Sequence, residues 1–175
     1  MEVQILYDNQ AEEGYRSGWG FSALVDGRVL FDAGEDVGPL IENMHKLGIE
    51  LKDIEAAVFS HEDWDHTGGY VLLKNCGDVD VYVPVSFSSR MKNDIMELSA
   101  GISLIEVSDR IKADDSIYVT EELGTGKREI SLCMESDKGL VLLTGCSHPG
   151  LDLIIDKVAD LGKLHAVVGG FHGFD

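Results

Sequence analysis

The sequence predicts an α/β protein made of two β-sheets covered by helices. Three observations point to that class. Hairpin-forming turn chemistry lies near each end, strands alternate with amphipathic helical stretches between the hairpins, and size and composition suit one globular domain over residues 1–175. Of the 175 residues, 44% are hydrophobic and 26% charged, which excludes a disordered chain. No repeat period of the solenoid kind is visible, and a chain of this length buries a core without disulfides.

Val3–Tyr7 is a short apolar run suited to an opening strand. A Gly/Ser loop through Gly14, Ser17 and Gly18 follows. Residues 19–25 and 28–31 then flank Asp26-Gly27, a pair that supplies the two positive-φ positions of a tight hairpin. Asp32-Ala33-Gly34 turns the chain toward a helix whose inward face is Val37, Leu40, Ile41, Met44 and Leu47. Pro39 in its first turn and Gly48 beyond its end bracket that helix.

Residues 54–60 read as a buried strand running into His61-Glu62-Asp63-Trp64-Asp65-His66. Thr67 is the expected cap of a helix through Tyr70, Leu72 and Leu73. Residues 79–83 form a strand, and Ser86 is the expected cap of a helix turning Phe87, Met91, Ile95 and Leu98 inward. Ile102–Val107 and residues 117–120 are short strands. Residues 121–129 read as a polar loop. Its Gly124-Thr125-Gly126-Lys127 is a turn rather than a phosphate loop, because Glu121 stands where the first Gly belongs and no Ser or Thr follows the Lys.

Residues 130–134 and 140–144 make the second hairpin around Asp137-Lys138-Gly139. A turn over 145–149 leads into a helix with Leu151, Ile154, Ile155, Val158 and Leu161 inward and Gly162 at its end. Residues 164–168 form the last strand.

Lys and Arg number 14 against 32 Asp and Glu, a net charge of −18. Such a surface repels nucleic-acid backbones, and no Lys/Arg cluster counters it, so nucleic acid is excluded as a partner. A bound dication could still attract one phosphate or carboxylate locally. The start MEVQILYDNQ has no signal-peptide pattern, and no apolar run approaches the length of a membrane span. The three cysteines, Cys76, Cys133 and Cys146, form no C-x-x-C pair and no even set. The chain reads as cytoplasmic, with no membrane partner.

Four of the six histidines (His61, His66, His148 and His172) lie in turns directly after apolar strands, where rigid platforms present side chains to solvent. His61-x-Asp63-x-Asp65-His66 packs four potential metal ligands into six residues. On an extended turn alternate residues share a direction, so His61, Asp63 and Asp65 can converge, with His66 pointing back from the next helix. Imidazole with carboxylate suits zinc, iron or manganese. One ion cannot comfortably take all four ligands from so short a loop, which favours two neighbouring ions.

Ser60 to Gly69, SHEDWDHTGG, closely resembles the H-x-H-x-D-H signature of the metallo-β-lactamase superfamily with its trailing T-G-G. Phe31-Asp32-Ala33-Gly34 resembles the first motif of that superfamily, whose Asp braces the metal loop. Leu143-Thr144-Gly145-Cys146 resembles the later strand-end motif, where an Asp commonly bridges two metals, and Gly169-Gly170-Phe171-His172 the final His motif. The resemblance implies a compact four-layer αβ/βα sandwich of two mixed β-sheets flanked by helices. Thr144 to Gly150, TGCSHPG, is similar to a subgroup of dihydropterin-linked ribofuranosyl-aminobenzene-phosphate synthases and β-lactamase-like hydrolases.

The departures from the pattern are specific. Asp63 stands where the superfamily has its second His, which shifts preference from zinc toward iron or manganese. No His is present near residues 81–85, where the middle His belongs, and His148 is the natural substitute. The chain also ends soon after His172, where subgroup members continue, which implies a smaller, more open pocket.

The resemblance therefore implies a hydrolase with two divalent metal ions: zinc first, iron or manganese because of Asp63. His61, Asp63 and His148 would hold one ion, and Asp65, His66 and His172 the other. A metal-bound hydroxide would attack an ester, amide, lactone or phosphoester of a small molecule, with Asp65 doubling as catalytic proton acceptor. Asp32 is expected to orient a ligand His or the metal loop, its alternative being a plain turn Asp.

Cys146 is either a thiolate ligand or a small core residue, whereas Cys76 and Cys133 read as inert core thiols. His148 and His172 are ligands or, alternatively, turn residues. Trp64 is expected to pack as a lid over the loop, and His45 and His165 are not catalytic. Two other functions stay open: a non-haem di-iron oxidoreductase, which Asp63 motivates, and a degenerate metal- or ligand-binding sensor, which the missing middle His motivates. A homo-oligomer would cover an apolar edge of so short a sandwich.

Overall fold

The computed structural model describes residues 1–172. The first sheet contains β1 (Val3–Tyr7), β2 (Ser22–Val25), β3 (Val29–Phe31), β4 (Ala56–Val58), β5 (Val79–Pro84) and β6 (Ile102–Val107), side by side in that order. β1, β2 and β3 are antiparallel neighbours, and pairing is parallel from β3 to β6. The second sheet contains β7 (Ile111–Asp114), β8 (Ile117–Val119), β9 (Leu132–Ser136), β10 (Gly139–Thr144) and β11 (Leu164–Gly169). It is antiparallel except for the β10–β11 pair. Four α-helices are present among the described residues: α1 (Val37–Lys46), α2 (Trp64–Thr67), α3 (Ser89–Met96) and α4 (Leu151–Val158).

The layers follow from period-two alternation along the strands. Ala23 and Val25 of β2 and Phe31 of β3 face the second sheet, where they meet Leu132, Met134 and Leu143. Leu24 and Leu30 face the other way, onto Leu40 and Met44 of α1. On β10, Leu143 points between the sheets while Leu140 and Leu142 pack on Ile154 and Val158 of α4. Three apolar clusters thus separate four layers, the αβ/βα sandwich that the family resemblance implies. Each buried Leu, Val or Phe contributes about 1.5–3 kcal/mol to holding the layers together. No helix among the described residues is long and apolar enough to cross a membrane.

Asp26 (φ 48°) and Gly27 (φ 70°) make the predicted tight turn between β2 and β3. Other local expectations are corrected. α2 is one turn long and starts after Asp63, not at Thr67; Thr67 closes it by donating its Oγ1–H to the Asp63 carbonyl at 3.0 Å. Residues 70–75 continue as a 3₁₀ turn, since Gly68-Gly69 does not sustain an α-helix.

α3 is capped by Ser88, whose Oγ accepts from Met91 N at 3.1 Å, and Ser86 instead gives its N–H to Glu122. Ile41 is 37% exposed, while Asn43 beside it is buried and holds Leu6 and both backbone groups of Arg16. β7 lies in a stretch to which the sequence assigns no element. As an edge strand carrying Lys112 and Asp114 it shows little apolar signal.

Candidate metal centre

Two pairs of strand ends and the turns after them build the centre, one pair from each sheet. From the first sheet, β3 ends at Phe31 and β4 at Val58, and Asp32 N donates to the Val58 carbonyl at 2.9 Å, tying the two exits together. Asp32 is fully buried with φ of 52°, a left-handed backbone that Asp tolerates better than most residues. That conformation aims its carboxylate across the sheet end. Oδ1 accepts from Ser60 N, and Oδ2 from both Ser60 Oγ and His66 Nδ1, each at 2.7 Å.

These contacts settle which nitrogens are free. The Ser60 hydroxyl has one proton, which goes to Asp32, so its oxygen accepts from His61 Nδ1–H at 2.8 Å. The Nε2 lone pair of His61 therefore faces the interior of the centre. His66 spends its Nδ1–H on Asp32 in the same way and turns Nε2 toward Cys146 Sγ, 3.2 Å away, and Asp65 Oδ2, 3.7 Å away. A single buried carboxylate orients both imidazoles, His66 directly and His61 through Ser60.

From the second sheet, the turns after β10 and β11 lock onto each other. Gly170 N donates to the Gly145 carbonyl at 2.8 Å and His172 N to the Cys146 carbonyl at 2.9 Å. Gly145 has no alternative at its position: a Cβ there would sit 2.1 Å from Ser60 Oγ. Glu129 is buried beneath this turn and its carboxylate accepts from the N–H groups of Cys146, Ser147 and His148. Burial holds the Glu129 pKa above the ordinary carboxylate range despite those bonds. Ile130 N in turn donates to the Ser60 carbonyl at 3.0 Å, joining the two halves.

The structure brings the sequence-predicted residues together. The rings of His61 and His66 are 4.3 Å apart, those of His61 and His148 5.1 Å, and those of His148 and His172 5.1 Å. Asp63 Oδ2 lies 3.4 Å from His61 Nε2 and 3.9 Å from His148 Nε2. His61, Cys146 and His148 each offer a ligand atom within 4.8 Å of the others. Cys146 is thus beside the imidazoles, not in the core. Asp65, His66, Cys146 and His172 line a cavity of about 480 Å³ whose far wall includes Trp19 and Phe171. Trp64 does not pack as a lid, being 62% exposed.

The donor set fits a cation. Among the described residues, His61 Nε2 and His148 Nε2 are buried without a hydrogen-bond partner. Two such orphans facing one carboxylate oxygen match neutral imidazole ligands. Burial, then the neighbouring charge of His66, pulls the His61 pKa down to about 3. For His66 burial also opposes charge, but the Asp32 carboxylate and then Cys146 outweigh it and raise the pKa to about 11. His148 is held low by burial and by Lys127.

Two residues of the centre escape sequence reading. Glu129 lies in the stretch read as a polar loop, and its only advance signal is the apolar run that begins directly after it. Lys127, in the turn set aside as featureless, places its Nζ on Asp63 Oδ2. Burial works against the Asp63 charge, but that hydrogen bond keeps its carboxyl below the ordinary range.

Known proteins resemble this chain in sequence and fold. A relative from Methanocaldococcus jannaschii, named 7,8-dihydropterin-6-methyl-4-(β-D-ribofuranosyl)-aminobenzene-5′-phosphate synthase, is 29% identical over 85% of this chain, which spans 66% of the relative's length. The crystal structure of Tm1679, a metal-dependent hydrolase of the β-lactamase superfamily, superimposes with a TM-score of 0.80 at 26% identity, covering 97% of this chain and 76% of that one. A quorum-quenching N-acyl homoserine lactone lactonase shares the fold at a TM-score of 0.59 and 16% identity, over 86% of this chain and 77% of its own. The family model of the metallo-β-lactamase superfamily matches residues 20–158, and the chain belongs to that superfamily.

Proposed function

We propose that the chain is a metal-dependent hydrolase acting on an ester, amide, lactone or phosphoester of a small molecule. The observation that carries this reading is the pair of partnerless buried nitrogens, His61 Nε2 and His148 Nε2, facing Asp63. His61, Asp63 and His148 would hold one ion, with Cys146 in reach, and Asp65, His66 and His172 a second. Bound there, a divalent pair supplies Lewis acidity and a nucleophile at neutral pH.

The chain's own residues do the rest. Asp32 and Ser60 fix the imidazole tautomers, so no reorientation is needed when a ligand arrives. Asp65, its side chain 13% exposed at the cavity wall, would accept a proton from an attacking water. Trp19, Phe21 and Phe171 offer apolar walls to a small substrate.

Elemental analysis of protein purified without added metal, paired with a panel of small esters, lactones and phosphoesters, tests the reading. Two zinc or manganese ions per chain with turnover that a chelator abolishes are expected. Iron with a visible absorbance would replace the reading with a redox one, and failure to bind any metal with a sensor. A second reading rests on the 29% identity to the relative named as a synthase. It requires formation of the compound in that relative's name, detectable by mass.

A further inference from the structure

We propose that Lys127 is a specificity-determining residue that binds an anionic substituent of the substrate; this rests on the hydrolase reading for its setting at the centre. The residue is held in place by the backbone around it. Leu123 and Glu129 exchange both hydrogen bonds, at 2.9 and 3.0 Å, closing the loop at its base. Glu129 is itself anchored to the Cys146–His148 turn by its carboxylate. Lys127, two residues earlier, therefore projects from a pinned loop and not from a free one. A Cβ at Gly126 would meet nothing within 4 Å, so the loop is open beside the lysine's backbone.

The ammonium has a contact that an ion would contest. Lys127 Nζ sits on Asp63 Oδ2, the same oxygen that faces His61 Nε2 and His148 Nε2. A dication held by that oxygen would repel the ammonium as a like charge and favour its moving away. The lysine is 44% exposed and has a flexible stem, so its head can move a few ångströms without disturbing the fold.

What it then meets is decided by the surroundings. The chain carries −18, and Glu62, Asp63 and Asp65 lie along the same short segment, so an anion is repelled from the metal-free centre, and a substituent out of reach of bound ions needs a cation of its own. Among the described residues, no other Lys or Arg is paired with Asp63 or Asp65. Lys127 is the cation beside Asp63 that can accept one negative charge of a substrate held at the centre.

The test frees the lysine without any metal. In metal-free protein, Asp63→Asn removes its counter-charge, and calorimetric binding of phenylphosphonate should become tighter than in the unaltered chain. Adding Lys127→Met to Asp63→Asn should weaken that binding on the order of 10-fold or more, the range of a charge-assisted hydrogen bond. The neutral diethyl ester of phenylphosphonate should show no such loss. Lys127→Arg in the same background should restore binding, and it keeps the test decisive if the Met variant folds poorly.

In the metal-loaded protein, Lys127→Met should raise KM for 3-acetoxybenzoate relative to its neutral methyl ester. Equal affinities for the anion with Lys and Met at this position, or equal losses for anion and neutral ester, overturn the proposal. Absence of any ester turnover would count against the hydrolase reading and leave the phosphonate result standing.

Discussion

Replacing Asp32 by Asn should take the Nδ1 proton off two histidines at once. The carboxylate receives three donors, Ser60 N, Ser60 Oγ and His66 Nδ1, each at 2.7 Å in a fully buried setting. Asparagine keeps one acceptor oxygen for Ser60 N and turns an NH₂ toward the other two groups. The Ser60 hydroxyl must then accept from that NH₂ and pass its own proton to His61 Nδ1. His66 Nδ1 becomes an acceptor as well. His61 Nε2 changes from a lone pair to an N–H group pointed into the centre, and His66, without the Asp32 charge that favours its imidazolium, keeps its proton on Nε2 alone.

Hydrogen bonds to a charged partner contribute about 1.5–3 kcal/mol each, and two of the three weaken, so a loss of about 2–4 kcal/mol of stability is expected. Loss of the orienting partner should lower metal affinity about 10- to 100-fold. Urea unfolding gives the first quantity, zinc competition against a chromophoric chelator the second, and ¹⁵N-histidine spectra report the tautomers directly. A variant whose imidazoles keep Nδ1–H and whose zinc affinity is undiminished would refute the reasoning.

Further outcomes follow from the same contacts. In metal-free protein, His66 carries one more proton folded than unfolded between pH 6.5 and about 11, so stability should fall across that window as pH rises. His61, neutral when folded, makes stability fall in the other direction as pH drops from 6.5 toward about 3. Each slope is at most about 1.4 kcal/mol per pH unit, and denaturant melts across pH should show a maximum near the crossover. Gly169→Ala puts a Cβ 1.8 Å from the Thr144 carbonyl at a φ of 130°, so thermal unfolding should register a loss of at least about 2 kcal/mol. Glu129→Gln sets an NH₂ against the backbone N–H donors of the turn; it should lose about 1–3 kcal/mol by the same assay and broaden the His148 resonances.

The parts of this molecule that could be read in advance are those whose signal is local. The turn at Asp26-Gly27, the inward faces of α3 and α4 and the ligand-rich run from His61 to His66 each announce themselves within a few residues. The helix caps were displaced because Thr67 and Ser86 compete with Asp63 and Ser88 nearby, and tertiary partners such as Glu122 and Glu62 decide between them. Lys127 and Glu129 were invisible for a different reason. Their meaning arises only when a loop from the second sheet meets a turn from the first, a juxtaposition separated by 64 residues in the case of Lys127 and Asp63. The same holds for Cys146, whose place beside His66 depends on contact between residues 80 apart.

The centre straddles two independently built plates. His61, Asp63, Asp65 and His66 ride on one, Cys146, His148 and His172 on the other, and the apolar filling between Phe31, Val58, Leu132 and Leu143 sets the gap like a shim between jaws. A methylene added or removed in that filling, well away from any charged group, would retune the bite of the jaws. Selectivity among cations of different radius can therefore drift through hydrophobic substitutions alone, leaving every donor atom in place.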